Sequence, residues 1–158
     1  MRLQRMPCAA FSVQPDVMAD ADRQLTERLS QYLSRQFRPT PAQKHWSFPH
    51  WAFYVTARGD RFLVSIHKSK ARKDGRILRI SPGAPRVVLA LLRQQTAEPV
   101  FAELFILCRE IHGLLAATPG VLGLYWGFSK TRPSVWTPEQ LFEMKYKQEG
   151  WTGPPSRD

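Results

Sequence analysis

A chain of 158 residues with 43% hydrophobic and 11% aromatic content has the make-up of one globular domain, long enough to bury roughly 68–70% of its unfolded surface. Its 23 Lys and Arg against 13 Asp and Glu give a net charge of +10 and a pI near 10.2, which favours anionic partners. Two cysteines, Cys8 and Cys108, exclude a disulfide framework, and no apolar run approaches the roughly 20 residues a membrane helix needs, so a cytoplasmic protein without membrane insertion is expected.

Residues 1–14 read as a loose N-terminal tail whose short apolar run, cut by Gln14-Pro15-Asp16, is no secretion signal. A single domain then spans 15–149. Its first helix is expected from Asp16 to Phe37, with Val17, Ala21, Leu25, Leu29, Leu33 and Phe37 forming a stripe and Asp16, Asp20 and Asp22 at the positive end of the dipole. Arg38-Pro39 ends it. Trp46 to Val55 is strand material. After the turn 57–60, Arg61 to His67 alternates, with Phe62, Val64 and Ile66 on one face and Leu63, Ser65 and His67 on the other. A charged loop ends in Asp74-Gly75, and a third strand follows with Arg76, Leu78 and Ile80 on one side and Ile77 and Arg79 on the other.

Pro85 suits the first turn of a helix to about Gln95, and Glu98-Pro99 opens a longer, widely apolar helix to about Ala117. Thr118-Pro119-Gly120 stops it. Val121 to Phe128 reads as a strand apolar on both faces and so more buried than the others. Thr137, Pro138 and Gln140 form a capping box for a last helix to about Gln148, and residues 150–158 read as a second tail. The expected fold is α+β, a mostly antiparallel sheet of about four strands in the order α-β-β-β-α-α-β-α packed against helices.

The charge is not spread evenly. Arg58, Arg61, Lys68, Lys70, Arg72, Lys73, Arg76, Arg79, Arg86 and Arg93 lie within one segment that holds only Asp60 and Asp74. Phosphate binding needs several cationic heads close together on a backbone free to approach, and a basic hairpin supplies both. The competing reading is a solvated tip that is charged to keep the sheet edge from pairing. Trp46 and Trp51 add aromatic rings on which bases can stack, and Tyr54, Tyr125, Trp126 and Trp136 are further rings to place. Lys130 and Arg132 form a lesser cationic loop.

The binding set read from the sequence is therefore Arg58, Arg61, His67, Lys68, Lys70, Arg72, Lys73, Arg76, Arg79, Arg86, Trp46 and Trp51. The expected function is a non-enzymatic domain whose basic hairpin face meets nucleic acid. The alternative is an interaction module, of the immunity, adaptor or inhibitor type, docking on an acidic protein surface. No cofactor is called for. Cys108 and His112 have helical chelate spacing but lack further ligands, so no metal is expected. No nucleophile elbow or phosphate-cradling glycine loop is present. His67 beside Lys68 and Lys70 leaves acid–base chemistry on a phosphorylated substrate as a lesser possibility.

Overall fold

The computed structural model of the protein describes residues 6–33, 36–39, 50–55, 61–82, 97–128 and 135–145. Strands β1 (Pro7–Val13), β2 (Gln36–Pro39), β3 (His50–Val55), β4 (Arg61–Lys68), β5 (Gly75–Pro82) and β6 (Val121–Phe128) form one sheet in the order β2-β3-β4-β5-β1-β6. Every neighbouring pair is antiparallel. Helix α1 (Met18–Leu33) follows a short 3-10 turn at Pro15–Val17; α2 (Ala97–Ala116) and α3 (Pro138–Lys145) complete the described elements. The α+β class is as expected, and the anticipated strands appear in the anticipated order.

The largest correction lies at the N-terminus. Residues 7–13 are not a tail: β1 is inserted between β5 and β6, with Ala9 opposite both Leu78 and Trp126. Cys8, Ala9, Phe11 and Val13 are buried there. A seven-residue strand that alternates only partly carries little periodic signal, so its place depends on partners 60 to 120 residues away. The sheet consequently has six strands, β1 and β2 joining the four expected.

Helix α1 stops at Leu33, and Phe37 lies in β2, paired with Ala52 of β3, instead of extending the helical stripe. The reading of β6 as the most buried strand is also corrected. It lies at the end of the strand order, its first half is largely exposed, and Leu122 stands 51% accessible. The expected helix over 85–95 and the strand residues 46–49 lie outside the described residues.

Alternation explains the core. Ala9, Phe11 and Val13 of β1, Phe62, Val64 and Ile66 of β4, Leu78 and Ile80 of β5, and Trp126 and Phe128 of β6 all bury their side chains in one cluster. Ala21, Leu25 and Leu29 of α1, Leu104, Phe105, Leu107, Cys108, Ile111 and Leu115 of α2, and Leu141 and Phe142 of α3 meet them. At about 1.5–3 kcal/mol for each fully buried large side chain, this single layer holds the three described helices to one face of the sheet.

Two ends are set by local chemistry. The expected capping box closes α3: the Gln140 amide donates to Thr137 Oγ1 at 3.2 Å, and the Thr137 amide donates to Gln140 Oε1 at 3.1 Å. Beyond α2, Gly120 adopts φ +90°, where a side chain is strained, and an added Cβ would also press on Val17 and Ala21. Among the described residues no helix is long and apolar enough to cross a membrane.

Candidate anion-binding face

The β4–β5 hairpin is firmly tied at its base. The Ser69 amide donates to the Gly75 carbonyl at 2.9 Å, and the Val13 amide of β1 donates to the Asp74 carbonyl at 2.9 Å. Gly75 is required by packing, because a Cβ there would lie 2.8 Å from that of Ser69. The tip thus holds Lys70, Arg72 and Lys73 in solvent above this hydrogen-bonded base. Arg72 shares its charge with Asp74 at 3.2 Å, an exposed pair worth little. Lys68, Lys70 and Lys73 make no ion pair among the described residues.

Arg76 does not belong to this group, and its assignment as a binding residue is corrected. Its parity with Leu78 and Ile80 turns it toward the helices, where its side chain has no exposure. Nε donates to Asp22 Oδ1 at 3.0 Å and Nη2 to Asp22 Oδ2 at 2.9 Å, a bidentate fork. Nη1 donates to the carbonyls of Lys73 and Gly75 at 3.0 and 2.9 Å. This cation is neutralised by α1 and holds the hairpin root. It also relieves a like-charge pairing, since Lys68 is the cross-strand partner of Arg76.

The other parity of the sheet tells a different story. Ser65, His67 and Arg79 share the face turned away from the described helices. Ser65 is opposite Arg79, and Arg79 is opposite Cys8 on its other side. Arg79 is exposed and makes no ion pair among the described residues, whereas Ser65 is 7% exposed. Ser65 Oγ and His67 Nε2 are hydrogen bonded at 2.8 Å.

Burial, assisted by the Arg79 charge, pushes the His67 imidazole down to about 4. At neutral pH it is therefore uncharged and adds no cation to the face. Burial likewise pushes the Cys8 thiol up to about 11, partly offset by Arg79, so Arg79 stands between neutral groups. The register aligns Trp51 of β3 with Ser65 and Arg38 of β2 with Trp51, and gives Arg61 the parity of His67.

The six strands contain no Asp or Glu at all. Any carboxylate that quenches a strand cation must therefore come from a helix or a loop, as Asp22 does on the helix-covered face. Asp22 escaped the sequence reading, which treated it as a dipole-compensating acid of the first helix. The available signal was the alternation that buries Arg76 and so obliges some carboxylate to meet it. Ser65 was likewise legible as a neighbour of His67 two residues along one face, but its hydrogen bond depends on side-chain rotation.

The remaining assignments separate cleanly. Arg58, Arg86, Trp46, Lys130 and Arg132 lie outside the described residues, and for Arg61 and Trp51 only register positions are described. Trp126 is no stacking platform: it is fully buried, and its Nε1 donates to His112 Nδ1 at 2.9 Å. That bond occupies the His112 nitrogen, while Cys108 is buried with its thiol raised by desolvation. Among the described residues no group of three or more metal-binding side chains assembles. Trp136 is 57% exposed and rests on Tyr125, ring centroids 4.4 Å apart. No protein-family model matches the chain, and no curated protein is significantly similar to it.

Proposed function

We propose that this chain is a non-enzymatic binding domain that holds nucleic acid through the cationic tip of its β4–β5 hairpin. The observation that supports it most is the exposed run Lys70, Arg72 and Lys73, opposed among the described residues only by Asp74, on a hairpin whose root is locked by the Arg76–Asp22 fork. Backbone hydrogen bonds at the hairpin root limit the ordering cost on meeting a phosphate backbone to the Lys and Arg side chains, and counterion release supplies the affinity.

Fluorescence anisotropy with a labelled single strand across ~50 to 200 mM salt tests this reading. Three phosphate contacts give a log–log slope of about −2 on a single strand. Combining Lys70→Glu, Arg72→Glu and Lys73→Glu should abolish binding. A flat salt response, or a triple variant that binds as well as the parent, refutes it.

A second reading, docking on an acidic protein surface, draws on the exposed Trp136 stacked on Tyr125, since aromatic rings of this kind anchor protein interfaces. Co-purification with and without nuclease separates the two. Protein partners that survive nuclease favour the second, and recovered nucleic acid favours the first.

A further inference from the structure

We propose that Arg79, Ser65 and His67 form a second anion subsite, which takes a single phosphoryl group on the sheet face turned away from the described helices. It stands apart from the hairpin tip, so either site can fail alone.

The contrast between two arginines of one strand carries the inference. Arg76 and Arg79 are three residues apart on β5 and so point to opposite faces. The first is buried and satisfied by four hydrogen bonds to Asp22 and two carbonyls. The second is exposed, makes no ion pair among the described residues, and comes from a sheet with no acidic residue in any strand. A guanidinium offers five donors in a planar fork that matches the oxygens of a phosphoryl group.

Ser65 and His67 share one hydrogen bond and so leave one further donor between them beside Arg79. Directly opposed antiparallel residues have Cβ atoms about 4.5–5.5 Å apart, which describes Ser65 and Arg79, and the diagonal neighbour His67 lies at roughly 7–8 Å. The Ser65–His67 hydrogen bond at 2.8 Å holds both side chains in place before any ligand arrives. The neutral state of the ring also matters: a fixed imidazolium beside Arg79 would be repelled by it, whereas a neutral ring gains a proton favourably once an anion sits between them. Among the described residues, the flanking positions on neighbouring strands, the Cys8 thiol of β1 and Trp51 of β3, bring no negative charge to compete.

The test is an NMR titration of the full chain, following the His67 imidazole and Arg79 Nε resonances. Inorganic phosphate probes the monoester form and a dinucleotide probes the phosphodiester. Both resonances should shift and saturate together, and the His67 titration midpoint should rise when the subsite is filled.

Arg79→Gln should weaken binding roughly tenfold or more, as loss of a charge-assisted bond requires. Because Arg79 is exposed, that variant keeps the fold, and unchanged resonances of Trp126 confirm it. Ser65→Ala should weaken binding less while freeing the ring. Saturation by the dinucleotide alone identifies a nucleic-acid backbone as the source, and saturation by phosphate alone identifies a monoester. Absence of a saturable His67 shift, or an equal shift in Arg79→Gln, overturns the proposal. The hairpin triple variant should retain phosphate binding at Arg79; its loss there would show that the two sites are one.

Discussion

Replacing Asp22 with Asn should destabilise the protein more than almost any other change at a helix surface. The substitution keeps the shape of the side chain and removes its charge, leaving a guanidinium with no solvent access and no counter-ion. Breaking a buried pair by removing one partner costs about 3–5 kcal/mol. Asp22 itself retains 14% exposure, and the carbonyls of Lys73 and Gly75 still accept from Arg76, so the low end, about 3 kcal/mol, is expected. For a domain of this size that corresponds to roughly 6–12 °C in Tm.

Urea unfolding monitored by circular dichroism measures the change. The double variant Asp22→Leu with Arg76→Met supplies the control, because an apolar pair of similar volume removes the stranded charge and should recover most of the loss. If Asp22→Asn costs less than about 1 kcal/mol, water reaches the guanidinium and the pair is not the lock on the hairpin root described above.

His67 gives the protein a pH dependence whose sign follows from its neutral folded state. Its folded pKa of about 4 lies below the unfolded value of 6.5, so the unfolded chain takes up the proton first and stability falls as pH drops through that window. Partial exposure screens the effect to about 1–2 kcal/mol between pH 7 and pH 4, and His67→Gln should flatten that part of the curve in urea titrations; parallel curves for parent and variant would contradict it. His112→Phe should cost about 1–3 kcal/mol by leaving the buried Trp126 indole N–H without its acceptor, and the indole resonance of Trp126 should move; in a Trp126→Phe background the same substitution should cost less.

Local chemistry is readable in the chain wherever neighbours in sequence decide the outcome. The capping box at Thr137 and Gln140, the turn at Gly75 and the alternation along β4 and β5 all depend on contacts within a few residues. The basic hairpin was legible for the same reason, as was the absence of carboxylates from the strand segments. Arg76 shows the boundary. Its alternation with Leu78 and Ile80 marked its direction, but only the packing of α1, 54 residues away, supplied the carboxylate that turned a candidate ligand-binding cation into a structural one.

The same boundary explains the missed strand. Residues 7–13 become β1 because β5 and β6 leave a gap whose backbone donors and acceptors need partners, and nothing within the segment itself announces that gap. Sequence by itself determined the class of fold, the faces of the strands and the place where positive charge concentrates. The tertiary structure alone decided which of those charges meet a carboxylate and which face solvent, because long-range pairing in a sheet is set by partners far along the chain and not by any local preference.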